Sequence, residues 1–440
     1  MIWAFAPWDD AINGVLDDVT LTGGGSTLPP TKKPVVVATF PPTAAPPYEF
    51  MQCDPNNTGQ SDCCNGVEGA CDLRANEIMY ATLHNAMATL DGGFLFGPNH
   101  KTKLEGALEA GYRGLNLDIC NCGGELVFCH GEFVSVCLCL CLCCVSLRVC
   151  RSPFSEVCFV PRWIGVTHLS LWHSLAAGLC SLGPRDVVEV MQNVNAFLDE
   201  HPTEVVTFIY QIDNDADQRV DLNQFYDKML LVDGFVEKIY VHEGADAEWP
   251  TLRQLTEPMN NKVNHCIVFM HCFYLSELGK VSHRSFREAS TCSLCAYCQS
   301  QRVIMFHYNG PNCNADPAAC PDGLHLYYNY ASDNNWEHTN VESIENRLNS
   351  CELRNNGINN NIFVGLNNFV SPPSQTSAQT LNEHSAATAF VDACTELLRT
   401  DINFVLVDFW EDGDLPKVTQ EHNTALARQR RNERKLLRRE

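Results

Sequence analysis

Met79-Tyr-Ala-Thr-Leu-His84-Asn85-Ala-Met87 is the stretch that decides the fold, together with Gly111-Tyr-Arg-Gly-Leu-Asn116-Leu-Asp118 and Leu126-Val-Phe-Cys-His130-Gly131. Each stretch is a short apolar run that ends in polar side chains. In a barrel of parallel strands, catalytic side chains lie at such strand ends. Two histidines at successive strand ends suit general acid and base catalysis on a phosphate ester.

Strand-like and helix-like patterns alternate along the rest of the chain. The strand patterns cover residues 80–84, 114–119, 126–130, 204–212, 302–307, 361–366 and 403–409, and the helical periodicities cover 186–198, 222–239 and 386–398. Repeated alternation of this kind predicts an α/β protein with a parallel sheet. Seven or eight strands over roughly 370 residues favour a TIM (β/α)8-type barrel over an open sheet.

Length and charge narrow the function. The 440 residues suffice for one large domain or two ordinary ones. The formal net charge of −23 argues against nucleic-acid binding, which needs a basic surface. It also disfavours electrostatic adhesion to anionic membranes, although an acidic protein can still act on lipid headgroups. No run reaches the ~18 apolar residues of a transmembrane helix.

Cysteine usage favours an extracellular protein or one of the secretory pathway. The chain has 24 cysteines, and twelve of them are dispersed outside two cysteine-rich segments. An even, dispersed set is typical of disulfide-bonded proteins, although the pairing is not legible from sequence. A glycosylation sequon at Asn56-Asn57-Thr58 and a Pro/Thr-rich stalk at 27–47 support this compartment. No signal peptide is recognisable at the start.

The predicted organisation has three parts. Residues 1–48 form a flexible leader, 49–425 a barrel and 426–440 a basic tail. Within the barrel, residues 133–179 and 263–301 are cysteine-rich and lack β–α alternation, so we interpret them as retained introns. Genuine lineage-specific loops are the alternative, and sequencing the transcript across both segments distinguishes the two.

In their order and spacing, the three opening stretches resemble the phosphatidylinositol-specific phospholipase C superfamily at its catalytic X-domain-like barrel. The carried motifs are Thr82-Leu-His84-Asn85-Ala-Met87, the stretch 111–118, and Cys129-His130-Gly131. Residues 197–207 are similar to the family's helix-to-strand passage, and residues 403–409 are similar to its final strand. The resemblance covers about 50–423 without the two odd segments. It implies a phosphoric diester hydrolase, a phospholipase C-like phosphodiesterase that acts on phosphatidylinositol-type lipids.

The resemblance implies roles for three residues. His84 is expected to be the base that activates the ring 2-hydroxyl, and His130 the acid that protonates the leaving glycerol oxygen. An imidazole suits both tasks because its ordinary pKa lies near ~6.5. Asp408, at the end of the last strand, either orients His84 or pairs with a neighbouring backbone amide. Taken alone, a histidine after an apolar strand is more often a capping residue than a catalyst.

A metal ion is the open question. Asn116 and Asp118 stand two residues apart on one strand, so both side chains face the same way. With Asn85 they offer three oxygen ligands, which suits calcium. The calcium-dependent branch usually has Glu where this chain has Asn116 and Gln211, whereas the metal-independent branch has Arg in place of Asp118. Asp118 therefore favours calcium, while the two amides would weaken the ion's binding.

Two other functions remain open at this stage. A glycerophosphodiesterase or a sphingomyelinase D-like enzyme also uses two histidines, but normally carries a Glu-x-Asp pair where this chain has Asn116-Leu117-Asp118. A catalytically inactive barrel that serves as a binding module is the second alternative. The expected partner is a phospholipid headgroup, with peripheral membrane contact and no nucleic acid.

Overall fold

The computed structural model describes residues 53, 62–94, 97–130, 185–212, 220–244, 246–257, 300–311, 320–354 and 362–437. All of them belong to one compact unit, Ala45–Glu440. The predicted leader, the sequon, segment 133–179 and nearly all of segment 263–301 lie outside the described residues.

Twelve strands are present in the described part of the chain. They are β1 (Cys63–Cys64), β2 (Val67–Glu68), β3 (Tyr80–Leu83), β4 (Gly114–Cys122), β5 (Glu125–Cys129), β6 (Arg185–Asp186), β7 (Val206–Ile212), β8 (Val303–Tyr308), β9 (Leu324–Leu326), β10 (Ala331–Asp333), β11 (Phe363–Asn367) and β12 (Phe404–Val407).

The helices of the described residues follow the strands in alternation. They are α1 (Leu104–Glu109), α2 (Val187–Glu200), α3 (Leu222–Met229), α4 (Leu252–Thr256), α5 (Tyr327–Tyr330), α6 (Val341–Glu345), α7 (Arg347–Ser350), α8 (Gln375–Leu381), α9 (His384–Leu398) and α10 (Leu415–Leu437), with 3-10 turns at Ala70–Asp72, Val236–Lys238 and Trp410–Asp412.

Eight of the strands are parallel and define the fold. Their order across the sheet is β10-β11-β12-β3-β4-β7-β8-β9. The last strand in the chain, β12, pairs with the first, β3, through Val407 and Leu83. Strands that follow one another in chain order and return to the first are the signature of a (β/α)8 barrel. The predicted fold class is therefore confirmed, although no pairing joins β9 to β10 among the described residues.

Strand β5 departs from the predicted pattern. It pairs antiparallel with β4, with Asp118 opposite Cys129 and Cys122 opposite Glu125, so it is not a barrel strand. The reason is the turn between the two strands, where Gly123 and Gly124 adopt positive φ angles of 68° and 96°. Glycine takes this conformation without steric cost, which allows a tight hairpin.

Other element boundaries also differ from the predictions. Helix α3 ends at Met229 instead of continuing to 239, and a 3-10 turn at Val236–Lys238 follows Gly234, whose φ of 72° lies outside the helical range. The three-residue strands β9 and β10 carry too few residues for a recognisable pattern. Helix α10 runs through residue 425 without a break, and its Arg434 pairs with Asp72 at 2.6 Å.

Local chemistry explains the long helix α2. The Asp186 side chain accepts a hydrogen bond from the Glu189 backbone N–H at 2.9 Å and so caps the first turn. One face of the helix, including Val190, Val194 and Leu198, is fully buried against the sheet. Each such side chain contributes roughly 1.5–3 kcal/mol to stability.

The barrel strands alternate between two apolar layers. Residues such as Leu115 and Met305 belong to the layer that the helices cover. The alternate positions, such as Tyr80, Phe306 and Phe404, form the second layer with Trp249. Because strand side chains alternate with a period of two, this second layer is the barrel interior, and the same alternation carries on to the strand ends.

Disulfide bonds are present as predicted. Four described pairs are Cys53–Cys63, Cys64–Cys71, Cys120–Cys129 and Cys351–Cys394. Cys122 and Cys320 are disulfide-bonded as well. Among the helices that the structure describes, none combines the length and apolarity needed to cross a membrane.

Candidate active site

The carboxyl ends of the barrel strands bring polar side chains to one edge, which we call the mouth. Strand alternation places these residues on the interior side, continuing the second apolar layer. They are His84, Asp118, Gln211, Tyr308, Asp333, Asn367 and Asp408. The mouth therefore combines the carboxylates of Asp118, Asp333 and Asp408 with the imidazole of His84, next to the aromatic side chains of the second apolar layer.

His84 and Asp408 form the closest functional pair at the mouth. His84 Nδ1 lies 2.9 Å from Asp408 Oδ1. The Asp408 side chain is 2% exposed and the His84 side chain 16%. A carboxylate only accepts hydrogen bonds, so this contact requires a proton on Nδ1 of His84. In the neutral tautomer that fits this contact, Nε2 carries no proton and is the nitrogen that can act as a base.

Phe369 fixes the plane of the His84 ring. The two rings stack with their centroids 3.6 Å apart and their planes 7° from parallel. Phe369 follows β11 and is buried. The ring of His84 is thus held on one face by an aromatic side chain and at Nδ1 by a carboxylate.

His130 follows the last residue of β5 and is carried by the antiparallel hairpin. The Cys120–Cys129 disulfide links the two strands of this hairpin beside it. The Asn85 side-chain amide nitrogen lies 3.1 Å from His130 Nε2. Burial lowers the pKa of His130 to about 4, with a smaller lowering effect from His84 and an opposing one from Asp408. A pKa of about 4 makes His130 a neutral ring at pH 7.

Asn85 connects the two histidine regions. Its backbone adopts a positive φ of 46° immediately after His84, a conformation that asparagine tolerates better than most residues. Its backbone N–H donates to Asn116 Oδ1 at 3.1 Å. The Asn116 side-chain nitrogen in turn donates to the Ile209 carbonyl at 3.0 Å, so Asn116 links three neighbouring segments at the mouth.

The predicted calcium ligands do not by themselves form an obvious cation cage. Both ends of the Asn116 amide are engaged in hydrogen bonds, and the Asn85 amide contacts His130. Asp118 is buried in the sheet between Cys129 and Gln211 and is the single carboxylate of the set. Calcium ordinarily takes 6–8 oxygen ligands. Within the described residues, no cluster of three or more His, Cys, Asp or Glu side chains could hold a metal ion. Calcium binding therefore stays a prediction, and the proposed acid–base reaction does not depend on it.

Sequence reasoning missed several residues of the mouth. Asn99 and His100 are fully buried and contact the His84–Asp408 pair, but they lie in a loop that no strand pattern marks. Asp333 ends the short strand β10 and pairs with Arg354 at 2.7 Å. Tyr308 donates to the same carboxylate at 3.2 Å. In the sequence, the one feature that marks this loop is the polar residue Asn99 directly after Gly97-Pro98.

His307 illustrates the opposite case. It ends β8, yet strand alternation places it on the side of the sheet that the helices cover, where it is fully buried. Burial lowers its pKa to about 4. This position, on the side of the strand away from the mouth, indicates a structural role for His307.

Comparison with known proteins gives one family match. The model described as PI-PLC X 1 matches residues 169–283. The match includes the helix-to-strand passage at 197–207, but neither His84 nor His130. It begins within the first suspected inserted segment and ends within the second. No protein with a curated description matches the sequence.

Solved structures of two bacterial enzymes are similar to the chain. Phosphatidylinositol-specific phospholipase C from Listeria monocytogenes has 11% identity and a TM-score of 0.42, over 83% of this chain and 98% of that one. A mutant of the Staphylococcus aureus enzyme has 9% identity and a TM-score of 0.44, over 84% of this chain and 97% of that one. Both scores are below 0.5, so the fold is assigned from the strand order of this chain.

The strand order and the mouth define a (β/α)8-barrel protein with acid–base side chains at the carboxyl ends of its strands. The family match over residues 169–283 agrees with the resemblance to the phosphatidylinositol-specific phospholipase C superfamily that the sequence motifs indicate.

Proposed function

We propose that the protein is a phosphodiesterase that cleaves phosphatidylinositol-type lipids with His84 as base and His130 as acid. The observation that carries the proposal is the contact of 2.9 Å between His84 Nδ1 and Asp408 Oδ1 at the barrel mouth. A buried carboxylate that fixes the tautomer of a partly exposed imidazole is the arrangement expected for a general base. A histidine with a merely structural role does not need it.

The first step uses the unprotonated Nε2 of His84. It removes the proton of the ring 2-hydroxyl while that oxygen attacks the phosphorus of the same lipid. Asp408 stabilises the imidazolium that forms, because the proton on Nδ1 stays hydrogen-bonded to its carboxylate. Stacking on Phe369 keeps the ring in one plane during the transfer.

The second role needs a proton on His130, although its pKa of about 4 makes the ring neutral at pH 7. An anionic phosphodiester bound beside the imidazole raises its pKa, because a nearby negative charge favours the protonated form. The protonated ring then donates to the glycerol oxygen as the phosphorus–oxygen bond breaks. The products are a cyclic inositol phosphate and diacylglycerol.

A polar group further along the mouth supports a polyol headgroup. Asp333 accepts hydrogen bonds from Tyr308 and Arg354, and burial raises the pKa of its carboxyl. Carboxylate, guanidinium and phenol groups together can donate to and accept from ring hydroxyls. This group is our candidate for headgroup binding.

Cleavage of phosphatidylinositol vesicles by the full chain tests the proposal, with release of cyclic inositol phosphate as the readout. His84→Ala and His130→Ala should each lower kcat on the order of 10²–10⁴-fold. His422→Gln, a half-buried histidine on helix α10, is the control and should retain activity.

Three results would contradict parts of the proposal. Equal activity of His84→Ala and wild type would remove His84 from the mechanism. Cleavage of glycerophosphodiesters or sphingomyelin instead would change the substrate. Binding of vesicles without turnover would favour a binding module. Parallel assays with added calcium and with a chelator test the predicted calcium dependence.

We also propose that the protein matures in the secretory pathway and contacts membranes peripherally. The described disulfides support this compartment, since such bonds persist in oxidising environments. Detection of the protein in the medium of expressing cells, with its disulfides intact, checks the expectation.

A further inference from the structure

We infer that Asn99 and His100 are positioning residues that hold the His84–Asp408 pair in its working geometry, an inference that rests on the proposed function. Asn99 acts on the Asp408 carboxylate, and His100 acts on the backbone that carries His84. Both side chains belong to one loop and are fully buried.

Asn99 fixes the carboxylate. Its side-chain nitrogen donates to Asp408 Oδ1 at 2.7 Å, the same oxygen that accepts from His84. The other oxygen, Oδ2, is buried and has no hydrogen-bond partner among the described residues. Both donors therefore converge on one oxygen. Without Asn99, the carboxylate would have a single hydrogen bond to define its rotation.

His100 acts where the pairing of two strands ends. Strand β12 pairs with β3 as far as Val407 and Leu83, and one more bond joins the His84 N–H to the Val407 carbonyl at 3.0 Å. Beyond that bond, the imidazole of His100 connects the segment after β3 with the segment after β12. Its Nε2 lies 2.7 Å from the His84 carbonyl, and the Trp410 N–H donates to its Nδ1 at 3.4 Å.

These two contacts require one form of His100. A carbonyl only accepts, so Nε2 carries the proton, and an N–H only donates, so Nδ1 carries none. A second proton on the ring would set two donors against each other at Trp410. Burial lowers the pKa of His100 to about 4, which agrees with a neutral ring, while the charge of Asp408 and the hydrogen bond to the His84 carbonyl oppose this lowering.

The loop itself is anchored independently of the pair. The backbone N–H groups of Asn99 and His100 both donate to the Ala88 carbonyl, at 2.8 and 3.1 Å. The Phe409 N–H donates to the Asn99 carbonyl at 2.5 Å. The two side chains are thus presented from a backbone that is fixed to both strand ends.

Three substitutions test the inference in the full chain. His100→Leu removes both contacts at similar volume, whereas His100→Gln keeps a donor and an acceptor on one side chain. Asn99→Asp keeps the shape but replaces the donor with a second carboxylate. We expect His100→Leu and Asn99→Asp to lower kcat on the order of 10–100-fold with little change in KM. His100→Gln should recover most of the loss.

A spectroscopic readout separates this inference from the proposed function. In the wild type, the His84 Nδ1 proton should give a downfield NMR signal that exchanges slowly with water, identified by its absence in His84→Gln. The signal should weaken or vanish in His100→Leu and Asn99→Asp, and return in His100→Gln. This measurement needs no turnover, so it decides the positioning role even if no substrate is cleaved.

Defined results would overturn the inference. An unchanged Nδ1 signal and unchanged kcat in folded Asn99→Asp would do so. Equal loss in His100→Gln and His100→Leu would also do so, because it would show that the hydrogen bonds are not what matters. If His100→Leu fails to fold, Asn99→Asp and His100→Gln still carry the test.

Discussion

Asn85→Asp should convert His130 from a neutral ring into a protonated acid. The amide nitrogen of Asn85 lies 3.1 Å from His130 Nε2, so an aspartate would place a charged oxygen at nearly the same distance. Coulomb's law gives about 5 kcal/mol at this separation for an effective dielectric constant near 20. That figure is a ceiling of about four pKa units, and burial of the new carboxylate reduces it.

A shift of about two units is typical of a carboxylate next to a cation. It would raise the pKa of His130 from about 4 to about 6. The protonated fraction at pH 7 would then rise from about one in a thousand to about one in ten. When protonation of His130 in the free enzyme limits the reaction at neutral pH, kcat/KM should rise by up to about a hundredfold.

The assay combines NMR titration of His130 with the pH dependence of phosphatidylinositol cleavage. Asn121→Asp, in the turn of the same hairpin, adds the same charge and keeps an acceptor for the Gly124 N–H, so it serves as the control. A raised pKa with unchanged or lower kcat/KM would refute the acid role of His130. No change in pKa would refute the contact with Asn85.

Three further predictions concern stability and the hairpin. Glu204→Gln leaves the charge of the buried Arg113 uncompensated and should lower the free energy of unfolding by about 3–5 kcal/mol, measured by denaturant titration. The control is Glu248→Gln, in an exposed ion pair, which should change the free energy of unfolding by less than about 1 kcal/mol. Burial lowers the pKa of His307 and His325 to about 4, so the unfolded chain binds more protons than the folded protein between pH 6.5 and 4. The free energy of unfolding should therefore be greatest above pH 6.5 and fall as the pH drops through this window. A flat profile of Tm against pH would contradict this reasoning. Replacement of the hairpin disulfide by two serines should lower kcat by a larger factor than His422→Gln does, while circular dichroism still shows the barrel.

The sequence predicted those parts of the fold in which pattern and length are strong. Strands β3, β7 and β12 carry apolar runs long enough to recognise, and helix α2 has both a cap and a periodic apolar face. Strands β9 and β10 have three residues each, too few for a period of two to be distinguished from a loop. The antiparallel course of β5 depends on two glycine conformations that an apolar run does not reveal.

The candidate site divides in the same way. The sequence motifs indicate three residues at the ends of recognisable strands, namely His84, His130 and Asp408. The structure brings His84 and Asp408 into contact, and Asn85, next to His84, contacts His130. Asn99 and His100 could not be predicted, because their contacts depend on how a loop folds back across two strand ends. Likewise Asp333 and Arg354 meet through tertiary structure alone, 21 residues apart.

The hairpin that carries His130 lies outside the order of the parallel barrel strands. Strands β3, β4, β7 and β8 pair with one another whether or not β5 is present, since β5 pairs only with β4 and β6. The proposed base, His84, belongs to the framework of the fold, and the proposed acid, His130, belongs to an attached hairpin. Evolution can therefore lengthen, re-aim or discard the acid while the framework persists, so a lineage of such barrels can pass between enzyme and receptor by changes confined to one β-hairpin.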